Sequence, residues 1–407
     1  MVLILGNTLA ASFIWGINTL FLLDAGLSNF EAFAANAFFT VGEVIFEIPT
    51  GVVADAWGRR ISYLLGTVTL SASTFLYYLL WQVHGPFWAW AVVSVLLGLG
   101  FTFFSGAVDA WLVDALHFAH YAGDLEAVFG RAQIVGGGAM LAGSVAGGFI
   151  AQATSLGVPF LIRVAILCAM FGVASVLMKD LGFTPERGQK PLQATRQILQ
   201  TSLDYGLRNP PVRWLMLAAP FTSGVGFYAF YAMQPYLLNL YGNRAAYAVA
   251  GLAAAIFAGS QIVGGILAPR IRNLLHRRTS ALILGTALCA LFLVLLGVAH
   301  NFWVALFLLV LWGMSGAAVI PIHQAYLNDL IPSKQRATVL SFDSLMGSSG
   351  GVVVQPILGR AADAWGYGTS YVVGAAIQVL AVPFLLRSRA QNAGADTHAN
   401  SSAPAPE

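Results

Sequence analysis

Charged residues are scarce in this sequence. Asp, Glu, Lys and Arg make up 9% of its 407 residues, whereas hydrophobic residues make up 58%. A soluble domain typically carries about 25% charged residues. So few charges cannot cover the surface of a water-soluble protein of this length, and the composition predicts an integral membrane protein.

Groups that carry catalysis or bind metals are also scarce. The only cysteines, Cys168 and Cys289, lie in separate apolar stretches, so no disulfide framework is expected. The histidines, His323 among them, are scattered without metal-ligand spacing. There is no Walker-type phosphate loop, which excludes a self-contained ATP-driven pump. We therefore expect no enzyme site, no cofactor and no metal, and the net charge of +3 gives no reason to expect a nucleic-acid partner.

Long apolar stretches are what the sequence has in abundance. Twelve of them are each long enough to cross a bilayer as a helix of about 20 residues. They lie at 3–24, 31–54, 61–83, 87–114, 128–152, 157–178, 212–239, 245–268, 279–299, 302–330, 337–358 and 367–386. The first has no basic segment before it, so we expect a retained helix rather than a cleaved signal.

The longest polar interruption divides these stretches into six and six. We predict an all-α membrane protein of twelve transmembrane helices in two parallel six-helix bundles. The predicted units are a first bundle at 1–178, a linker at 179–211, a second bundle at 212–388 and a disordered tail at 389–407.

The positive charges predict the orientation. Of the 20 Lys and Arg residues, 17 fall at the termini, in the linker and in alternate connections, and only Arg163, Arg244 and Arg360 fall on the other side. The positive-inside rule therefore places both termini and the linker in the cytoplasm.

The two halves also repeat each other. Residues 110–116 match residues 325–331 at an offset of 215, and Arg59 and Arg60 are echoed by Arg277 and Arg278. Six helices separate equivalent positions, so both copies have the same orientation. This duplication predicts two similar bundles around a central cavity.

The connection after the second stretch carries a specific motif. Its pattern is Gly-x-x-x-Asp-x-x-Gly-Arg-Arg, formed by Gly51, Asp55, Gly58, Arg59 and Arg60. In this context the sequence resembles the major facilitator superfamily, and the preceding residues 47–50 make it similar to bacterial drug-efflux-like proton antiporters. The resemblance implies transport by alternating access, with this loop as part of a cytoplasmic gate. The alternative is that its arginines are only topology anchors.

Asp114 belongs to the same predicted gate. It is matched by Asp329 in the second half, and we expect it to form an ion pair with Arg59, Arg60 or Arg131.

Two positions depart from the pattern of proton-coupled relatives. Ser144 replaces the proline of the fifth-helix glycine run that is associated with exporters, and Ser94 stands where many proton-coupled members carry an arginine. Proton coupling then has to use other residues. The intramembrane acids are the remaining candidates, because an ionisable group near the bilayer centre costs at least about 2.5 kcal/mol.

Four acids are the proton-coupling candidates. Glu43 is the deepest, Glu47 lies one turn below it on the same helical face, and Asp109 and Asp343 lie in the fourth and eleventh stretches. The alternative for each is a hydrogen bond to a neighbouring helix.

Four further residues are candidates for the substrate cavity. Asn18 and Gln234 are polar groups within apolar stretches, and Tyr231 belongs to an aromatic run that suits apolar or cationic compounds. Arg163 either binds an anionic group or pairs with Asp24.

Together these features predict a secondary active transporter of the cell inner (plasma) membrane, working as a monomer. Its expected partners are a small-molecule substrate, protons and the lipid bilayer. We favour export of a small, largely apolar or amphiphilic molecule in exchange for protons. The alternatives are proton-coupled uptake of a metabolite and a membrane sensor or lipid-handling protein with the same fold.

Overall fold

The regular structure of the chain is helical. The computed structural model describes residues 1–104, 107–121, 123–183, 196, 200–332 and 335–397. Three parts of the sequence prediction lie outside these residues. They are part of the predicted linker (184–195 and 197–199), the end of the predicted tail (398–407) and Lys334.

The first half contains six spans. The first is a bent pair of helices, and the fourth is described as two helices on either side of residues 105–106, which lie outside the described residues. In chain order the helices are Val2–Trp15 with Asn18–Asp24, Asn29–Trp57, Arg59–Gln82, Phe87–Thr102 with Ala107–Phe118, Leu125–Ala153 and Gly157–Leu177.

The second half repeats the arrangement. After a π-helical turn at Leu203–Leu207, spans seven to ten are Pro210–Tyr241, Tyr247–Leu274, Arg278–Gly297 and Phe302–Leu330. The helix Arg336–Val379 contains two spans, because Gly366 has a φ of 82° and breaks it. The eleventh span runs from residue 336 to this break, and the twelfth continues from it through Ala381–Ala390.

These breaks explain the span count. Ten described helices are long and apolar enough to cross a membrane, and the pair Val2–Trp15 and Asn18–Asp24, bent by 47°, makes an eleventh. Dividing the 53-residue segment Thr338–Ala390 at Gly366 makes twelve. The all-helical fold class predicted from the sequence is confirmed.

Local sequence determines several helix ends. Ser28 and Glu31 form a capping box at the start of the second span, satisfying backbone N–H groups that have no helical partner. Gly58, with a φ of 105°, makes the tight connection between the second and third spans. This conformation favours glycine because it lacks a Cβ atom.

Two seams join the halves. The second span packs against the eleventh, and the fifth packs against the eighth. On the second seam Gly148 and Gly251 face each other so closely that a Cβ atom on Gly148 would lie 2.9 Å from the Cα atom of Gly251. Small residues allow this approach of two helix backbones.

The bundle has two ends. We call the end that carries Gly58 and residues 200–209 the linker face, and the opposite end, which carries residues 25–28, the distal face. The linker face is the one that the sequence predicts to be cytoplasmic. Residues 391–397, assigned from sequence to the tail, fold back against this face, where Arg277 and Thr397 form a bridge.

Candidate functional site

A cavity of about 850 Å³ lies in the second half of the bundle. Spans seven to twelve supply its walls, and Trp15 at the bend of the first span is the lining residue that the first half contributes. Its volume is within the range of about 300–1,000 Å³ that is usual for small-molecule sites.

Aromatic side chains form one end of this cavity. Trp15 stacks on Phe230 with ring centroids 4.2 Å apart, and Phe257 lies 5.5 Å from Phe230. Trp312 stacks on Phe257 at 5.4 Å, and Tyr231 contacts Phe230 edge-on. These five residues, which we call the aromatic layer, line the cavity at the middle of the bundle.

Both apolar and polar side chains line the remainder of the cavity, and two of the polar ones form a pair. His323 on the tenth span donates from Nε2 to Oδ2 of Asp343 on the eleventh, at 2.9 Å. Oδ1 of Asp343 is buried and has no hydrogen-bond partner. The other polar lining residues include Thr222, Ser223, Gln261, Thr286, Gln324, Asn328, Ser344 and Ser348.

Glu43 and Glu47 lie on the second span, outside the lining of this cavity. Both side chains are half-buried, and each carboxylate is close enough to affect the other electrostatically. The charge of Glu43 also acts on the hydroxyl of Tyr231, which belongs to the aromatic layer. Glu43 is therefore connected to the cavity across the boundary between the halves.

Arg163 does not pair with Asp24. The carboxylate of Asp24 accepts a hydrogen bond from Nε1 of Trp81 at 2.8 Å. Nε of Arg163 is buried without a partner, and the guanidinium acts electrostatically on Tyr77 and Tyr231. Of the two alternatives left open by the sequence, the one with Asp24 is not realised, because Trp81 occupies that acid.

Asn18 and Gln234 serve the bend of the first span instead of the cavity. Gln234 accepts from the backbone N–H of Thr19 at 2.9 Å and donates to the carbonyl of Trp15 at 3.0 Å. Asn18 donates to the side chain of Asn36 at 3.0 Å. Neither residue lines the cavity, because the broken helix uses these polar groups for its own backbone and neighbours.

The remaining candidates of the fourth span lie near the linker face. Asp109 is exposed in the first turn of Ala107–Phe118, and Asp114 is half-buried in the same helix. The ion pair predicted between Asp114 and Arg59, Arg60 or Arg131 is not formed among the described residues. Arg59 pairs with Asp55 at 2.6 Å, and Arg60 donates to the carbonyl of Ser175.

A carboxylate that the sequence did not suggest completes this loop. Asp180, just after the sixth span, accepts from the backbone N–H of Arg60 at 2.9 Å. The predicted gating loop at Asp55 and Gly58 is thus held to the sixth span of its own half. Gly51, in the same motif, has open space beside it, since a Cβ atom there would contact nothing within 4 Å.

The second half contains equivalent contacts. Asp396, just after the twelfth span, accepts from the backbone N–H and the hydroxyl of Thr279, both at 2.8 Å. Arg278 pairs with Asp329 at 2.7 Å, which is the kind of contact that the sequence predicted for Asp114. Asp180 and Asp396 lie at roughly equivalent places after the last span of each half, and this position is the signal that could have suggested both acids.

Hydrogen bonds across the halves gather at the distal face. Asp363 accepts from the backbone N–H and the side chain of Asn29 and from the backbone N–H of Phe30, at 2.9–3.0 Å. Tyr367 also donates to Asn29. Gln152 accepts from the N–H of Ala248 at 3.0 Å. We call the contacts of Asp363 and Tyr367 with Asn29 and Phe30 the distal latch.

Glycines nearer the linker face have open space around them. A Cβ atom on Gly137, Gly138 or Gly265 would meet nothing within 4 Å, in contrast to the crowded Gly148. The fifth and eighth spans thus pack tightly near the distal face and separate toward the linker face.

The pairing of His323 with Asp343 could not be predicted from the sequence, because the two residues are twenty positions apart and lie on different spans. Contacts of this kind depend on how neighbouring helices are rotated, and neither spacing nor composition records that rotation.

Comparison with known proteins identifies the family and the fold. The family model described as Major Facilitator Superfamily matches residues 1–354 and 247–404. A Bacillus subtilis (strain 168) protein named "Uncharacterized MFS-type transporter YxaM" is 24% identical over 384 residues, covering 90% of this chain and 89% of the relative.

Solved structures show the same fold. The crystal structure of the nucleoside transporter NupG has a TM-score of 0.79 at 12% identity, covering 95% of this chain and 97% of that one. A D-xylose-proton symporter has a TM-score of 0.67 at 17% identity, covering 94% of each chain. At these identities the likeness concerns the fold alone. With the family match spanning nearly the whole sequence, the chain belongs to the Major Facilitator Superfamily and is a multi-pass membrane transporter.

Proposed function

We propose that this protein exports a small amphiphilic molecule across the plasma membrane in exchange for protons, by alternating access. The observation that carries the proposal is the asymmetry of the bundle. A cavity with polar and aromatic walls lies on the linker side of the contacts that join the halves at the distal face. With the linker face in the cytoplasm, as the positive-inside rule predicts, this is an inward-facing conformation.

The other conformation follows from the two-fold arrangement of the halves. Rocking them about the central site would break the distal latch and close the linker face. The predicted gating loop would move with the first half as a rigid part, because Asp180 and Ser175 hold it to the sixth span. This loop contains Asp55, Gly58, Arg59 and Arg60. Its proposed gating contact is therefore with the second half, near the open position of Gly51.

The walls of the cavity support an amphiphilic substrate. The aromatic layer offers flat apolar surfaces, and the polar side chains interspersed along the rest of the lining, here called the polar wall, offer hydrogen-bonding groups. A molecule with an aromatic or apolar body and a polar group would satisfy both, whereas a purely apolar one would leave the polar wall unpaired.

Proton coupling is assigned to the intramembrane acids. Glu43 is the principal candidate because its charge acts on Tyr231 in the aromatic layer, and Glu47 is close enough to share its electrostatic environment. Asp343 is the candidate inside the cavity. Asp109, exposed near the linker face, is the candidate furthest from the cavity wall.

Flux measurements test this proposal. Purified protein in liposomes, with an imposed proton gradient, is expected to move an amphiphilic dye such as ethidium against its concentration gradient. Glu43→Gln should abolish uphill movement while downhill exchange persists, and Glu43→Asp should retain part of the coupling. Asp204→Asn, which removes a carboxylate paired with Arg208 on the linker, is the matched control.

Absence of any proton-driven flux, for ethidium and for a wider panel of labelled compounds, would contradict the proposal. If Glu43→Gln retained full coupling, another acid would have to carry the proton.

Uptake of a polar metabolite with protons is the second candidate. It is favoured by the number of uncharged hydrogen-bonding side chains on the cavity wall, and two solved structures of the same fold are titled as a nucleoside transporter and a D-xylose-proton symporter. Labelled uridine and xylose, offered under opposite gradient directions, distinguish the two. Accumulation in the direction of proton flow would favour uptake.

A further inference from the structure

Two arginines share one tryptophan ring at the linker face of the second half. The guanidinium carbon of Arg213 lies 4.7 Å from the centre of the Trp214 ring, and that of Arg387 lies 5.5 Å from it. Arg213 and Trp214 are close to the start of the seventh span, and Arg387 is in the last turn of the twelfth, which packs against the seventh. We call these three residues the basic clamp.

The positive charge of the basic clamp is not neutralised by the described residues. Neither guanidinium forms an ion pair or a hydrogen bond with them. The described acids at this end of the second half already have partners, namely Asp204 with Arg208, Asp329 with Arg278 and Asp396 with Thr279. Two cations beside one ring repel each other, and the helix dipole disfavours a cation near the start of the seventh span. A bound anion would relieve both effects.

The basic clamp lies where a membrane protein meets lipid headgroups. Its residues are within about a turn of the ends of two spans, and tryptophan is typical of the interface between membrane and water. Arg387 is exposed, and its neighbour Leu386 is 50% exposed. One turn further into the membrane, the half-buried Phe384 packs against Trp214 with ring centroids 6.1 Å apart. The charged groups therefore adjoin an apolar surface on the membrane side.

The first half has no counterpart of the basic clamp. The equivalent place is where the first span begins and the sixth ends, and residues 2–6 and 172–177 contain no basic side chain. The shared helix arrangement therefore does not require arginines here. In the second half they add an unpaired charge at a junction of two spans.

From these observations we infer that the basic clamp binds the phosphate group of an anionic phospholipid in the leaflet at the linker face. Arg213 and Arg387 donate charge-assisted hydrogen bonds to the phosphate oxygens, and the acyl chains lie against Phe384 and Leu386. Trp214 is a positioning residue that holds both guanidiniums. None of the three clamp residues lines the cavity, so the lipid site is separate from the proposed substrate site.

Competition between two lipids tests this inference. Purified protein in a neutral detergent is mixed with equal amounts of dioleoylphosphatidylglycerol and dioleoylphosphatidylcholine, which have the same acyl chains and differ in net charge. Native mass spectrometry measures the ratio of the two lipids that the protein retains. The test variant is Arg213→Gln/Arg387→Gln. The matched control is Arg131→Gln/Arg208→Gln, which removes two exposed arginines from the same face.

We expect the wild-type protein to retain phosphatidylglycerol over phosphatidylcholine by about twentyfold, because each arginine near an anionic headgroup contributes about fivefold. The preference should fall to about twofold or less in Arg213→Gln/Arg387→Gln. It should stay within about twofold of the wild-type value in Arg131→Gln/Arg208→Gln, since the binding depends on the position of the charges and not on their number.

Two substitutions of Trp214 test its positioning role. Trp214→Leu removes the ring that holds the two guanidiniums and should lower the preference several-fold, although both charges remain. Trp214→Phe keeps an aromatic face and should restore most of it. Equal losses in the two variants would show that Trp214 does not position the arginines.

Inorganic phosphate distinguishes a lipid from a free anion of the same chemistry. In large excess over the lipids it should not displace phosphatidylglycerol, because it lacks the acyl chains that contact the apolar surface. Displacement by inorganic phosphate would overturn the assignment to a lipid.

Three further results would overturn the inference. These are equal retention of the two lipids by the wild-type protein, an unchanged preference in Arg213→Gln/Arg387→Gln, and an equal loss of preference in Arg131→Gln/Arg208→Gln. Each variant is first checked for a single monodisperse peak and a wild-type melting temperature. If Arg213→Gln/Arg387→Gln does not fold, Arg387→Gln alone carries the test, because this side chain is exposed, and the preference should fall about fivefold.

This inference goes beyond the proposed function and does not depend on it. Lipid retention is measured without a substrate or a proton gradient, so failure of the transport proposal leaves the lipid site standing. Loss of the lipid preference likewise leaves the transport proposal standing.

Discussion

The two halves of this transporter share a fold and a set of linker-face contacts, but they differ in what they contribute to the interior. The second half supplies all the lining residues of the cavity except Trp15. The first half instead carries Glu43, Glu47 and Arg163, half-buried charged residues outside that lining. Duplication preserved the helix arrangement while the chemistry of the two interiors diverged. The lining of the cavity is thus concentrated in the second half, together with the His323–Asp343 pair, while the charged residues of the first half lie outside it.

The largest effect should separate binding from coupling. Asp343→Asn in the second half is expected to weaken binding of ethidium, which is a cation, about tenfold or more, because the negative charge of a cavity-lining carboxylate is lost. Glu43→Gln in the first half is expected to leave the dissociation constant within about twofold, because the residue does not line the cavity. Calorimetry gives the binding constants, and liposome accumulation ratios give the coupling. A tenfold loss of binding in Glu43→Gln would contradict the difference between the two halves, because it would place substrate contacts in the first half as well.

The next effect concerns the contacts between the halves. Asp363→Ala removes a carboxylate that accepts three hydrogen bonds from the start of the second span. Because the group is exposed, we expect a loss of about 1 kcal/mol, which corresponds to about a fivefold shift toward the distally open state.

The readout is the labelling rate of a cysteine at position 34, which is buried in this conformation, by a membrane-impermeant maleimide. Both native cysteines are replaced by serine beforehand, and Asp204→Asn is the control. An unchanged rate would show that the distal latch does not determine the conformation.

A smaller effect should distinguish the two capping acids. Asp396 is almost fully buried against the ninth span, whereas Asp180 is half-buried against the third. Loss of a helix cap is worth about 0.5–2 kcal/mol, which corresponds to a melting temperature lower by about 1–4 °C in a chain of this size.

We expect Asp396→Asn to lie at the upper end of that range and Asp180→Asn at the lower end, measured by thermal unfolding in detergent. Removal of residues 391–407 should match Asp396→Asn. Equal shifts for both acids would mean that burial does not set the strength of these caps.

The smallest effect concerns the linker-face ion pairs. Asp329→Asn breaks a described pair with Arg278, whereas Asp114→Asn, at the duplicated position, breaks none that the structure describes. Exposed ion pairs contribute about 0–1 kcal/mol, so a shift of at most about 2 °C is expected for Asp329→Asn and none for Asp114→Asn. A larger shift for Asp114→Asn would mean that this residue makes the contact predicted from the sequence.

The fold was predictable because each span and each half can be recognised in the sequence independently of the others. Apolar length identified the spans, and the repeat at an offset of 215 identified the two similar halves. The bend at Gly16 and Ile17 did not alter the span count, since its two helices together have the length of one span.

The site was less predictable because it depends on which side of each helix faces the centre. Gln234 is a polar residue within an apolar span, as a substrate-binding residue would be, yet it hydrogen-bonds the broken backbone of the first span. His323 was not selected because the histidines are scattered and no pair of them has metal-ligand spacing backed by carboxylates, although Asp343 reaches it from the next span. Helix rotation decides both cases, and it is fixed by packing that a linear pattern does not contain.

The glycines at positions 137, 138 and 265 carry a consequence of a different kind. Inside a helix each glycine is destabilising by about 1 kcal/mol relative to alanine, and here no neighbour uses the space that the missing side chain leaves. Their small size would leave room for other backbone to come close to these positions in the second conformation proposed above. A residue as small as alanine there should slow turnover while raising the melting temperature of the shape described above.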